Sequence, residues 1–234
     1  MKKYGPQRKA AHQNMGNEAH STPQQTPTNT AHRPLVFIHG SGASSRIWQA
    51  QVDHFGTDSA FSIDLPGHGE RPDTLPPEVS VSDYARVTHE IIFQELRLTA
   101  PIIAGNSLGG AIALTMGLEY ASELSGVILI GTGARLRVLP SILEEAKKAS
   151  VVTYRDWAAC NTFDVMNKLD EICLPTLIIC GADDRLTPVK YSQYMHDHIQ
   201  GSTLCIIPNA GHTVMRDQPE RVNQAIDEWL ARHN

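Results

Sequence analysis

The chain has 234 residues, with 20 Lys or Arg against 25 Asp or Glu and a formal net charge of −5. That length can bury the core of one domain, and an acidic balance without a basic stripe argues against nucleic acid as a partner. No apolar run is long enough to span a bilayer, and the polar residues after the opening "MKK" lack the apolar stretch of a signal peptide, so a cytoplasmic protein without a membrane partner is expected.

Residues 1–33 are rich in Gln, Asn, Thr, Pro and His and nearly free of large apolar side chains. Such a segment cannot offset the entropy of ordering and is expected to form a disordered polar tail ahead of a domain over 34–234. From Pro34 onward, short apolar runs rich in β-branched residues recur: "PLVFIHG" (34–40), "AFSIDLPG" (60–67), "APIIAGNS" (100–107), "SGVILIG" (125–131), "PTLIICG" (175–181) and "TLCIIPN" (203–209). Apolarity without alternation is the mark of strands buried on both faces.

Amphipathic stretches separate these runs. In "SVSDYARVTHEIIFQELRL" the residues Tyr84, Val87, Ile91 and Leu98 fall near a helical period, with Ser80 or Ser82 available as N-cap. "SLGGAIALTMGLEYA" is apolar nearly all round and predicts a buried helix. "DQPERVNQAIDEWLARHN" predicts a terminal helix with Asp217 as N-cap, Pro219 in its first turn and Val222, Ile226, Trp229 and Leu230 on one face. Strands alternating with helices imply an α/β fold, a mostly parallel sheet of about six strands with helices on both faces. Residues 132–174 carry helix formers and no strand signal, which marks an insertion. Cys160, Cys173, Cys180 and Cys205 sit singly without CxxC spacing, as reduced packing residues would, and no metal site is expected.

Gly105, Asn106, Ser107, Leu108 and Gly109 fit the pattern G-x-S-x-G between a strand and a helix. A serine at so sharp a turn takes a strained backbone, which small neighbours permit, and the N–H of Leu108 at the helix start faces a developing negative charge. A serine nucleophile also needs a base, a group to orient that base and a second oxyanion donor. "HGSG" (39–42) offers the N–H of Ser41. "GADDRLTP" (181–188) offers Asp183 and Asp184, and "NAGHTVM" (209–215) offers His212. All follow strands, at the edge where open α/β sheets build their sites. His39, His68 and Trp48 read as structural residues around these loops.

The order Ser, Asp, His with "HG" upstream and "DLPGHG" at 64–69 resembles the α/β-hydrolase fold superfamily from Pro34 to the last helix. The resemblance implies Ser107 as nucleophile, His212 as base and Asp184, from the pattern G-x-x-D-x-x-x-P, as its orienting acid. Ser41 and Leu108 would form the oxyanion hole, and no cofactor or metal is required. The implied activity is hydrolysis of a small-molecule ester through an acyl-enzyme. Cleavage of a C–C bond in a diketone, of a lactone or of an amide, and ligand binding without turnover, are the alternatives. Two departures from the family stand out: no strand hairpin precedes the "HG" strand, and residues 132–174 allow only a short helical cap. Gly40, Trp157 and Phe163 are the expected substrate contacts. Leu136, Leu139, Ile142, Leu143 and Met166 join them either as pocket lining or as a plain cover for the sheet. An exposed sheet edge is expected, but no feature specifies an oligomer.

Overall fold

The six apolar runs form β1 (Leu35–Ile38), β2 (Ala60–Ile63), β3 (Ile102–Asn106), β4 (Gly126–Ile130), β5 (Thr176–Gly181) and β6 (Thr203–Ile207). The computed structural model describes residues 33–233, so the tail expected at 1–33 lies, but for Arg33, outside the described residues. All strand pairs are parallel, in the order β2-β1-β3-β4-β5-β6, which leaves β2 and β6 at the edges.

Between the strands run α1 (Gln49–Phe55), α2 (Val81–Glu90), α3 (Leu108–Glu119), α4 (Pro140–Ala149), α5 (Val151–Thr162), α6 (Val189–His198), the single turn α7 (Val214–Asp217) and α8 (Pro219–His233). Val36, Ile38, Ile103, Leu129 and Ile178 point to one side of the sheet, where α2, α3 and α6 pack. Leu35, Phe37, Ile102, Ile128 and Ile179 point to the other, against α1 and α8. Burial on both faces is why these strands show no polar alternation. α3 is buried from Leu108 to Gly117, as its uniformly apolar sequence requires.

The choice between Ser80 and Ser82 falls to Ser80: its Oγ accepts the Asp83 N–H while the Asp83 carboxylate accepts the Ser80 N–H, a reciprocal cap. Asp217 does not cap α8. It ends α7, and its carboxylate accepts the N–H of Gly211 at 2.8 Å, so it braces the loop that carries His212. Gln218, whose carbonyl accepts the Val222 N–H, precedes Pro219 at the start of α8 instead. Of the cysteines, Cys160 and Cys180 are buried and Cys205 is half-buried, whereas Cys173 is exposed and is not a packing residue. Trp48 is buried against Phe37, ring centroids 5.1 Å apart. Among the described residues no helix is long and apolar enough to cross a membrane.

From β1 the chain moves outward to β2 and then crosses back to place β3 on the other side of β1. The reversal opens a crevice at the carboxyl ends of β1 and β3, the place where open α/β sheets bind ligands. "HGSG" and Ser107 leave the sheet there.

Candidate active site

Ser107 has φ 56° and ψ −115°, immediately before α3. A non-glycine residue in this region is strained and persists only where its surroundings hold it. Here the Ser107 N–H donates to Ile130 O at 3.1 Å, and Thr132 Oγ1 donates to Ser107 O at 2.8 Å. The glycines make room: a Cβ on Gly105 would overlap the backbone of Gly109, one on Gly109 the carbonyls of Ile38 and His39, and one on Gly40 would lie 3.1 Å from Ser107 Cβ. Leu108 opens α3, so its N–H has no partner within the helix. Neither it nor the N–H of Ser41 meets a protein acceptor among the described residues.

Asp184 is 5% exposed and lies within hydrogen-bond distance of His212, Nδ1 to Oδ2 being 2.9 Å. Thr187 supports it twice, with the N–H to Oδ1 at 2.9 Å and the hydroxyl to Oδ2 at 2.8 Å; Leu186 N–H also reaches Oδ1. Burial alone would raise the Asp184 carboxyl, but the His212 hydrogen bond and charge and the Thr187 donors hold it below its usual value. An ionised carboxylate only accepts, so Nδ1 of His212 carries the proton and Nε2 is the acceptor nitrogen. Asp183 is exposed, and among the described residues its side chain makes no hydrogen bond to His212. The His212 carbonyl accepts from Asn106 Nδ2 at 3.1 Å, and the same amide donates to Ile130 O, which joins the histidine loop to β3 and β4.

Ser107 and His212 line one cavity of about 270 Å³, together with Leu136, Val138, Ile142 and Trp157. No hydrogen bond joins the Ser107 hydroxyl to the imidazole among the described residues; such bonds often close only when substrate is bound. Residues 132–174 supply part of the wall through α4 and α5, which meet at Ser150. Leu139 and Trp157 are on the lining, and Met166 lines an adjoining cavity. Phe163 is not on either wall: its side chain is buried in the core, although Thr162 and Asp164 beside it are exposed. Leu143 is likewise absent from both linings.

Sequence reading missed the buried polar cluster beneath the "HGSG" loop. Asp156 of α5, fully buried, accepts from Gly42 N–H at 3.0 Å, from His68 Nε2 at 2.8 Å and from the Tyr84 hydroxyl. Its neighbour Arg155 donates to Asp73 at 2.8 Å, to the Tyr84 hydroxyl at 3.1 Å and to the carbonyls of Pro66 and Leu75. The partners are 71 to 114 positions away in the chain, so no local pattern announces them.

The two histidines here hold different protonation states. His68 faces acceptors at both nitrogens, Pro66 O and Asp156, and so fits an imidazolium; burial opposes its charge, but the Asp156 hydrogen bond and charge raise its pKa above the usual value. His39 donates from Nδ1 to Gly40 O and accepts the Leu65 N–H at Nε2, which requires the neutral ring. Burial lowers its pKa from 6.5 to about 4. A group with a depressed folded-state pKa of this kind favours the folded chain less as pH falls from its unfolded value towards its folded one. Stability should therefore drop by about 3 kcal/mol between pH 6.5 and 4 on account of His39. The stabilisation from His68 is constant in that window, being fully present below 6.5 and lost only as pH rises through its raised value. That of Asp184 begins to fade only below 3.8. Urea unfolding measured across pH 4 to 6.5 checks this, and a flat profile would show that His39 charges freely in the folded chain.

The sequence model of the alpha/beta hydrolase family matches residues 35–157, more than half of the chain. The chain belongs to the alpha/beta hydrolase family. A second match, to the family described as TAP-like protein, covers residues 144–234. This alpha/beta hydrolase superposes on the solved structure of a thermophilic esterase with a TM-score of 0.78 and 31% identity, over 86% of this chain and 91% of that one. It is 25% identical to (E)-2-((N-methylformamido)methylene)succinate hydrolase of Acinetobacter baylyi, over 89% of this chain and 97% of the relative. It is 22% identical to pimeloyl-[acyl-carrier protein] methyl ester esterase of Neisseria meningitidis, over 77% of this chain and 86% of the relative. Hydrolase chemistry and a parallel α/β sheet are common ground for this family member and its relatives.

Proposed function

We propose that this hydrolase is a serine esterase that cleaves small carboxylic esters through an acyl-enzyme, with Ser107, His212 and Asp184 as its triad. The observation that carries the reading is the strained serine at the start of α3, sharing a cavity with an imidazole whose Nδ1 is held by an ionised carboxylate. The esterase relatives support the same class of reaction.

In this mechanism Ser107 Oγ adds to the ester carbonyl carbon as His212 Nε2 takes its proton. Asp184 keeps the tautomer and stabilises the imidazolium. The carbonyl oxygen becomes an oxyanion between the N–H groups of Leu108 and Ser41, each such donor contributing about 3 kcal/mol to transition-state stabilisation. His212 then protonates the departing alkoxide, and water, activated by the same imidazole, attacks the acyl-serine to release the acid. Lactones and amides present the same carbonyl to the same groups.

A fluorophosphonate probe tests the nucleophile. One equivalent should attach to the Ser107 peptide in intact-mass and peptide mapping, and p-nitrophenyl ester turnover should stop with it. Active ester turnover with labelling at another residue would overturn the assignment. Because Trp157 is half-buried on the cavity wall, Trp157→Ala should move the preference among p-nitrophenyl esters towards longer acyl chains, read as the ratio of kcat/KM for octanoate and butyrate. An unchanged ratio with lowered Tm would mean that the indole only packs.

A further inference from the structure

The candidate active-site cavity carries both apolar and cationic residues on its lining. Leu136, Val138, Leu139, Ile142 and Trp157 are its large apolar residues, and Arg185, Lys190 and Arg137 stand on the same lining with no Asp or Glu among its residues. A second cavity of about 350 Å³ adjoins it and shares Arg137, Lys190 and Tyr191, adding Arg135. So cationic a pair of walls is out of character for a chain of net charge −5.

The four cations are not equivalent. Arg135 and Arg137 both pair with Asp164, and Arg137 also donates to the carbonyls of Leu136 and Phe163. Arg185 and Lys190 are exposed and have no carboxylate within salt-bridge distance among the described residues. Lys190 also sits in the first turn of α6, where the helix dipole disfavours a cation, and that turn contains no acid. Lys190 Nζ lies 5.9 Å from the ring centroid of Tyr191, on the wall common to both cavities. Two unpaired cations and a helix start without an acid attract one kind of ligand group, an anion. The apolar residues attract hydrocarbon, and the volume limits the whole to a small molecule.

We propose that the substrate of this site is a small ester bearing a carboxylate at the far end of a short hydrocarbon chain, the carboxylate being read by Arg185 and Lys190. The proposal rests on the esterase reading for its chemistry but on the cavity walls for its ligand, and the two separate in experiment. Mono-p-nitrophenyl adipate and p-nitrophenyl hexanoate have acyl chains of equal length and differ in a terminal carboxylate. The charged ester should have the higher kcat/KM at low ionic strength, by about tenfold, and the gap should shrink in 1 M NaCl. In the double variant Arg185→Gln/Lys190→Gln the ratio of the two kcat/KM values should fall at least about fivefold, while Arg221→Gln/Arg232→Gln, an equal loss of charge on α8, should leave the ratio as it was. A parent preference for the neutral ester, or a ratio unmoved by the double variant, overturns the proposal.

If neither ester shows Ser107-dependent turnover, the esterase reading fails and binding decides the ligand separately. Adipate should still saturate a change in Trp157 fluorescence, at least about fivefold more weakly in the double variant. It should also bind more tightly than inorganic phosphate, which has no chain for the apolar residues. No saturable response to adipate, or equal binding of phosphate, overturns the carboxylate-bearing substrate.

Discussion

Replacing Ser107 by alanine should lower kcat/KM for p-nitrophenyl esters by about 10⁵-fold while circular dichroism and the urea midpoint stay close to those of the parent. The size follows from the mechanism: without Oγ no acyl-enzyme forms, and only the oxyanion donors and binding remain to assist direct attack by water. Stability should hold because the φ of 56° is imposed by the backbone bonds to Ile130 and Thr132, and alanine removes only an oxygen from a side chain that faces the cavity. The proposed mechanism makes Ser107, His212 and Asp184 one unit, so Ser107→Ala/His212→Ala should be hardly slower than either single variant. Additive losses would mean that His212 serves a separate step. A folded Ser107→Ala protein with parental activity would remove the serine mechanism altogether.

The second large effect should come from Asp156, which touches none of the reacting atoms. Asp156→Ala leaves two buried donors, from Tyr84 and His68, and the N–H of the exposed Gly42 without their acceptor, and the loss of one partner from a buried charged cluster costs about 3–5 kcal/mol of stability. Asp156→Asn keeps the shape but turns an N–H towards one of those donors, so it should also destabilise, by a smaller amount. Its kinetic signature separates positioning from mere stability. The Gly42 N–H, beside a contact of Ser41 Oγ with Cys160 Sγ at 3.6 Å, links α5 to the loop that carries the Ser41 N–H. Loosening it should lower kcat by up to about 10²-fold, the scale of one misplaced oxyanion donor, with KM little changed. Loss of stability with kcat intact at a temperature where the variant is folded would make Asp156 a structural residue alone.

Much of this architecture can be read from local pattern. Strands buried on both faces announce themselves as unbroken apolar runs, and "GNSLGG" allows the positive φ of Ser107 because its glycines can lie against neighbouring backbone. The residues alone leave Asp183 and Asp184 open, and the family pattern G-x-x-D-x-x-x-P favours Asp184; it is the one that meets His212, while Asp183 stays in solvent. What pattern does not carry is pairing across long separations. Asp156 lies in a helix whose sequence, "VVTYRDWAACNT", has no clear amphipathic stripe, and its partners come from three other parts of the chain. Phe163 and Trp157 are alike as candidate aromatic lining, but the Phe163 side chain packs into the core while Trp157 stands on the wall. Asp217 resembled a helix cap because Pro219 follows it, yet the turn α7 ends first and commits its carboxylate to Gly211.

The two helices joined at Ser150 are secured very unequally. α5 buries Arg155, Asp156, Ala159 and Cys160, whereas α4 buries only Ala146 and leaves Leu139 at its start 65% exposed. One helix is thus a fixed jamb and the other a door resting on few contacts. Under the proposed mechanism, loosening α4 should broaden the range of ester alcohol groups turned over while leaving the Asp156–Gly42 contact of α5 in place. Changes to α4 therefore offer a way to widen what the site accepts at little expense to its rate.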